Sequence, residues 1–129
     1  MDTYYHVFEL MTRNPYCATP STPIAELVQR LVGLKATAAP VLNEAEELVG
    51  LISLVDVAVS PQASTVSEIM QRRVHSIEHS ERLASAARLM REHRVHRLVV
   101  TDRQRVVGIL SCLDVLAAVW DSSGYPSAL

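Results

Sequence analysis

Cysteine, lysine, glycine and aromatic residues are all scarce in this chain, and each scarcity closes off a class of protein. Two cysteines, Cys17 and Cys112, stand among 129 residues. That is too few for a disulfide framework, so a reducing, cytoplasmic setting is expected. Four glycines are too few for a loop that wraps a phosphate chain. No Gly-x-Ser-x-Gly elbow, phosphate-binding loop or dinucleotide glycine fingerprint occurs. No catalytic residue is assigned, and the chain is not read as an enzyme. The longest apolar run, Leu48 to Val59, is interrupted by Gly50, Ser53 and Asp56. It is too short and too polar to span a bilayer, the first residues do not read as a signal peptide, and no membrane association is expected. What is abundant is aliphatic: 49% of the residues are hydrophobic, which excludes wholesale disorder and gives one ordinary domain enough material for a core.

Lysine is nearly absent. Lys35 is the single one, and the charge is unevenly placed: residues 1–60 hold seven acidic and three basic residues, whereas residues 61–129 hold seven acidic residues and nine arginines. Arginine without lysine suits fork-like recognition of phosphate or carboxylate, and a biased codon supply gives the same composition. The net charge of −2 and the 5% aromatic content weigh against a nucleic-acid binder.

The chain reads twice. Val7-Phe8-Glu9-Leu10-Met11 returns as Val66-Ser67-Glu68-Ile69-Met70, an offset of 59 that holds through Val41 and Val100. One extra loop residue in the first copy then lowers the offset to 58, and the segment from Leu48 to Val57 matches that from Val106 to Val115. Twelve identities fall in 49 aligned positions, clustered at punctuation residues. A period of this length marks two structural copies. Each copy reads as strand, helix, strand, strand, helix. An extended stretch (Tyr16 to Thr19; His75 to Glu78) precedes a polar turn, where Thr22 is placed to cap a helix that opens with Pro23. The helix carries the stripe Ile24, Leu27, Val28, Leu31 and Leu34, or Leu83, Ala86, Ala87, Met90 and His93. A buried strand (Ala38 to Leu42; Leu98 to Thr101), a turn, a second strand ending at Ile52 or Leu110 and a final helix from Ser53 or Ser111 complete it. The expected class is α/β (α+β), with two β-α-β-β-α copies related by a pseudo-twofold and packed through their sheets. The boundaries are a lead at 1–6, copies at 7–60 and 66–120, and a flexible Ser-, Gly- and Pro-containing tail at 121–129.

Gly-hydrophobic-hydrophobic-Ser-x-x-Asp is the most specific local signal, at Gly50/Ser53/Asp56 and again at Gly108/Ser111/Asp114. It fits a capping box, in which the serine caps a helix and the acid reaches back to the cap N–H. It fits equally an anion site beside free helix N–H groups, with an ionised acceptor able to take two ribose hydroxyls. Arg91-Glu92-His93-Arg94-Val95-His96-Arg97 is the second signal. It reads as a solvated basic helix end for Arg91 and Arg94, but His96 and Arg97 stand at the start of a central strand. Thr37 and Ala38 occupy those positions in the first copy, so two unequal sites are expected. His75 and His79, or His93 and His96, lack the spacing and companions of a zinc site, and no metal is assigned. Cys17 and Cys112 fall at apolar positions and read as small packing residues.

Together these residues resemble a tandem pair of cystathionine-β-synthase (CBS) domains, a Bateman module. The doubled pattern of methionine, Pro40-Val41-Leu42-Asn43 and Leu48-Val49-Gly50-Leu51-Ile52-Ser53-Leu54-Val55-Asp56 carries the resemblance, over residues 7 to about 120. Val99 departs from it, standing where Pro40 stands in the first copy, and Tyr16-Cys17-Ala18 is an unusual first strand. The resemblance implies a free-standing regulatory module that needs no cofactor and binds AMP, ADP, ATP or another adenosyl compound in two clefts between the copies. One cleft would combine Ser111 and Asp114 with Cys17, Ala18, Ala36, Thr37 and Ala38. The other would combine Ser53 and Asp56 with Ser76, Ile77, Val95, His96 and Arg97. Aspartate would hold ribose hydroxyls, serine and the helix N–H groups phosphate, the apolar strand starts the base, and His96 and Arg97 further phosphate. It also implies a homodimer, for which Val115, Leu116, Val119 and Trp120 offer an apolar helix face, and an effector protein of unknown identity. Two other readings stand beside it: a structural dimerisation module with vestigial clefts, and nucleic-acid binding through the arginines of the second copy.

Overall fold

A computed structural model describes residues 5–120; residues 1–4 and the tail expected at 121–129 lie outside the described residues. In chain order the elements are α1 (Val7–Leu10), β1 (Thr12–Arg13), α2 (Ile24–Leu34), β2 (Ala38–Leu42), β3 (Leu48–Ser53), α3 (Leu54–Val59), a 3₁₀ turn (Val66–Glu68), β4 (Ser76–Glu78), α4 (Leu83–His93), β5 (Arg97–Asp102), β6 (Arg105–Ser111) and α5 (Cys112–Val119). The mixed α+β class expected from the periodicity is the one observed. No helix among the described residues is long and apolar enough to cross a membrane.

Two compact units form, and their bounds are offset from those of the sequence copies. One unit is Pro15–Val74; the other joins the described residues up to Asn14 to those from His75 onward. The lead of the first copy, with α1 and β1, therefore builds on the body of the second copy. The stretch that opens the second copy, with the 3₁₀ turn, stays with the body of the first.

In the Pro15–Val74 unit, β2 and β3 pair antiparallel, with Ala38 opposite Ser53 and Ala39 opposite Ile52. Single bridges flank them: Ala18 lies parallel to Val41, and Gln71 antiparallel to Leu51. The other unit expands the same plan into a four-stranded sheet, β1-β6-β5-β4, in which β4 runs parallel to β5 and the remaining pairs are antiparallel. Each sheet is covered by a helix stripe. Ile24, Leu27 and Leu31 pack with Ala39, Val41, Ile52, Val66 and Met70. Leu83, Ala86 and Met90 pack with Leu98, Val100, Leu110, Val7 and Val115. Burial of side chains of this size stabilises each unit by about 1.5–3 kcal/mol per large residue.

Three expectations change at the helix ends. Thr22 does not cap α2: its hydroxyl oxygen accepts the Thr19 N–H at 2.9 Å and closes a turn, while Pro23 holds the cap position without a side-chain bond. Leu34 is exposed, and so is His93, which stacks on His75 with ring centroids 4.0 Å apart. With about 100° of turn per residue, positions 34 and 93 reach the same margin of their stripes, beyond the face that meets the sheet. Both helices then end on a basic residue in the left-handed conformation, Lys35 at φ 56° and Arg94 at φ 55°. There the following amide turns back to the helix, Ala36 N–H to the Leu31 carbonyl and Val95 N–H to that of Met90.

The repeated glycines lie beneath the crossing leads. A Cβ on Gly50 would come within 2.7 Å of Met70 Sδ and 3.0 Å of the Gln71 carbonyl; on Gly108 it would collide with Met11 Sδ and lie 2.9 Å from the Thr12 carbonyl. The methionine tips can swing aside, but the carbonyls belong to paired backbone. Gly108→Ala is expected to lower stability by about 1–3 kcal/mol, read as a shift of the urea unfolding midpoint, and Gly50→Ala to do the same. Gly33, with open space around it, tolerates alanine and is the control.

Candidate functional site

Both Ser-x-x-Asp sequences form capping boxes. Ser53 caps α3: its N–H donates to Asp56 Oδ2 at 2.9 Å, and its Oγ accepts the Asp56 N–H at 3.3 Å. Ser111 caps α5 in the same way, with the corresponding distances 2.8 and 3.2 Å. The box reading of the sequence is thus the local geometry, and it leaves an acceptor-only carboxylate at the first turn of each helix. The surroundings differ. Asp56 Oδ2 also receives the Ser53 hydroxyl at 3.0 Å, and the Gln71 side-chain amide lies 3.3 Å from Oδ1 and 3.5 Å from Oδ2. At Asp114 the serine N–H is the donor that the carboxylate receives from the described residues.

Each box sits beside the strand start of its own copy. The register places Ala38 opposite Ser53, and the Leu54 N–H donates to the Thr37 carbonyl at 2.9 Å. In the other unit Arg97 lies opposite Ser111, and the Cys112 N–H donates to the His96 carbonyl at 2.9 Å. Antiparallel pairing therefore brings the serine, the aspartate and two residues from the start of the neighbouring strand together. Thr37 and His96 are exposed at these equivalent places, Ala38 is buried, and Arg97 is half-buried. Ala36 and Val95, each half-buried, follow the left-handed helix ends.

The first-strand residues are held more deeply. Ala18 is buried; its N–H donates to the Pro40 carbonyl and its own carbonyl accepts the Leu42 N–H, both at 2.9 Å. Cys17 is half-buried, its Sγ 3.5 Å from the Pro15 carbonyl oxygen, and burial pushes its thiol up from the ordinary value. A thiol shifted that way stays protonated at neutral pH and is a poor nucleophile. Tyr16 beside it is also raised, by burial and then by Glu26, against the opposing charge of Arg30, whose guanidinium lies 4.6 Å from the ring centre. Ser76 is exposed, whereas the Ile77 side chain belongs to the core of its own unit. Glu78 ends this strand. The Thr101 hydroxyl donates to its carboxylate at 2.6 Å and the Arg103 N–H at 3.3 Å, and these two bonds hold the carboxyl below the ordinary glutamate value.

Gln71 has no place among the residues singled out by composition or motif. Its signal was present all the same: it aligns with Thr12 at the offset of 59, so a long amide replaces a short hydroxyl at matching positions of the copies. Among the described residues no three His, Cys, Asp or Glu side chains gather as metal ligands, and both cysteines are free.

Residues 7–60 and 66–121 each match the family model of the CBS domain. An uncharacterized protein of Methanocaldococcus jannaschii is 32% identical over 114 residues, which cover 86% of this chain and 36% of that protein. The chain spans between about a fifth and a third of the length of the first curated relatives it matches. Among solved structures, CBSX2 of Arabidopsis thaliana in complex with AMP is 30% identical with a TM-score of 0.75, covering 88% of this chain and 95% of that one. The CBS domain pair of protein MJ0100, in complex with 5′-methylthioadenosine and S-adenosyl-L-methionine, is 27% identical with a TM-score of 0.80, covering 86% and 92%.

Two outcomes test the local geometry. Ser111→Ala removes the cap of α5 and is expected to cost about 0.5–2 kcal/mol in chemical denaturation. Thr101→Val removes the main cause of the Glu78 shift, so the carboxyl should titrate closer to the ordinary glutamate value when followed by NMR. Because the folded value is depressed, the stability linked to Glu78 is present above the unfolded value and fades as pH falls through the folded one. The valine variant should show less of that acid loss.

Proposed function

The chain belongs to the CBS domain family, and from that premise we propose that it is a non-enzymatic regulatory module that binds an adenine-containing ligand through its duplicated Ser–Asp residues. One observation carries the reading: in both units an ionisable carboxylate and a serine oxygen stand at the first turn of a helix, directly beside the start of a central strand. Asp56 and Asp114 accept ribose hydroxyls, for which an ionised carboxylate, acceptor-only and with about four lone-pair sites, is suited. Ser53 and Ser111 face phosphate. Cys17, Ala18, Ala36, Thr37 and Ala38, and Ser76, Ile77 and Val95, line the base, and His96 and Arg97 add positive charge for phosphate. The ligands of the two solved relatives, AMP and S-adenosyl-L-methionine with 5′-methylthioadenosine, support an adenosyl compound as the class, with AMP, ADP and ATP as the first candidates. The role is cytoplasmic, requires no cofactor and passes its signal to an effector protein.

The module acts as a homodimer. Of the helix face expected from the sequence, Leu116 and Trp120 are exposed, whereas Val115 is buried in the core of its own unit and Val119 packs against that core. Leu113 on α5, and Val55 and Val59 on α3, are exposed as well, Val59 and Leu113 to more than 70%. Exposed apolar side chains on a helix favour a covered face. The same observation supports the second reading, a dimerisation module whose binding residues are vestigial.

Binding stabilises the folded chain by about 2.7 kcal/mol when ligand stands at a hundred times its Kd. AMP or ATP is therefore expected to raise the melting temperature, and Asp114→Ala to reduce that rise. A flat response in thermal shift and calorimetry across AMP, ADP, ATP, S-adenosylmethionine and 5′-methylthioadenosine would refute the binding role and leave the dimerisation reading. Leu113→Glu combined with Val55→Glu is expected to give a monomer by analytical ultracentrifugation; a dimer that survives both changes would remove the proposed face.

A further inference from the structure

We infer that Gln71 holds the Asp56 carboxylate closed, so that Asp114 is the carboxylate that takes up ligand first; this rests on the proposed role of the two aspartates as ribose acceptors.

The backbone of Gln71 is fixed against β3. Its N–H donates to the Leu51 carbonyl at 2.8 Å and its carbonyl accepts the Leu51 N–H at 2.9 Å. This pair lies two residues before Ser53, on the strand that leads into the capping box. From there the side chain reaches the box, with Nε2 at 3.3 and 3.5 Å from the two oxygens of Asp56. A ribose diol needs two of the about four lone-pair sites of one carboxylate. At Asp56 the Ser53 N–H, the Ser53 hydroxyl and the Gln71 amide already share them, and a diol must displace the amide.

The other unit repeats this frame without the long side chain. Thr12 pairs with Ile109, which precedes Ser111 by two residues as Leu51 precedes Ser53. Threonine carries its hydroxyl one bond from Cβ, and it makes no bond to Asp114 among the described residues. Among the described residues the Ser111 N–H is the donor on the Asp114 carboxylate. The two copies thus share an acceptor and differ in whether the crossing lead covers it. Gln71 is a positioning residue for Asp56, setting which half of a duplicated frame binds.

An exposed hydrogen bond is worth about 0.5–1.5 kcal/mol net, equivalent to about two- to twelvefold in a dissociation constant. The experiment is calorimetric titration with AMP of the full chain as wild type, as Asp114→Ala, and as Asp114→Ala combined with Gln71→Ala or with Gln71→Thr, each checked for folding by its melting curve. Removing Gln71 is expected to tighten AMP binding in the Asp114→Ala background by about two- to twelvefold. The reciprocal change, Thr12→Gln in an Asp56→Ala background, is expected to weaken it by a similar factor. Unchanged or weaker AMP binding on removal of Gln71 overturns the inference, because an amide that contacts ligand, or does nothing, gives that result. Loss of AMP binding from every Asp114→Ala form, with the wild type still binding, overturns it as well but leaves the binding function standing. A wild type that binds no adenine compound defeats the binding function itself.

Discussion

Two short leads cross the last strands of the sheets so closely that a Cβ beneath them would crowd their backbone carbonyls, and glycine leaves the space. Gly50 and Gly108 supply that space, under Met70 with Gln71 and under Met11 with Thr12. The consequences run outward from this contact. The close approach lets β1 add to β6 and lets Gln71 pair with Leu51. It seats Val7 and Val66, both fully buried, in the cores beneath. It also fixes the register of a strand whose last residue is the serine that caps the next helix. The capping boxes three residues beyond the glycines depend on that register, because a slip of one would turn the serine to the opposite face of the sheet.

On this shared frame the copies diverge through single side chains, with little change of backbone. The left-handed helix ends at Lys35 and Arg94 have almost the same φ, and both boxes have the same bonds within a few tenths of an ångström. Thr37 and Ala38 in one copy stand where the other has His96 and Arg97, and Gln71 stands where the other has Thr12. Duplication keeps the geometry that serine and aspartate need and leaves the residues around them free to differ. One box is therefore rich in donors and uncharged at its strand start, and the other, among the described residues, has fewer donors and a basic strand start.

The helix stripes, and the helix, strand, strand, helix order they belong to, were legible because each depends on local periodicity. The short α1, β1 and 3₁₀ elements were not read, and the strand expected at Tyr16 to Thr19 is reduced to the bridge at Ala18. Ile24, Leu27 and Leu31, and Leu83, Ala86 and Met90, announce a buried face by their spacing alone. The boxes were legible for a similar reason: a serine and an acid three residues apart meet across one helical turn wherever they occur. Helix margins were less so. Leu34 is apolar by type, and nothing near it in sequence says that its sheet has ended; Thr22 had the right chemistry for a cap and found a nearer partner in Thr19.

The sequence by itself determined two copies, their class and the duplicated Ser–Asp pair, because repeats, periodicities and capping boxes are fixed by residues a few positions apart. The tertiary structure decided which lead covers which body, and therefore that Gln71, a residue outside the motif, joins Ser53 against Asp56. That contact spans 15 positions of chain, and its partner is chosen by the path of the backbone over Gly50. No spacing rule reaches that far; strand pairing does, because it sets side chains side by side regardless of their distance along the chain.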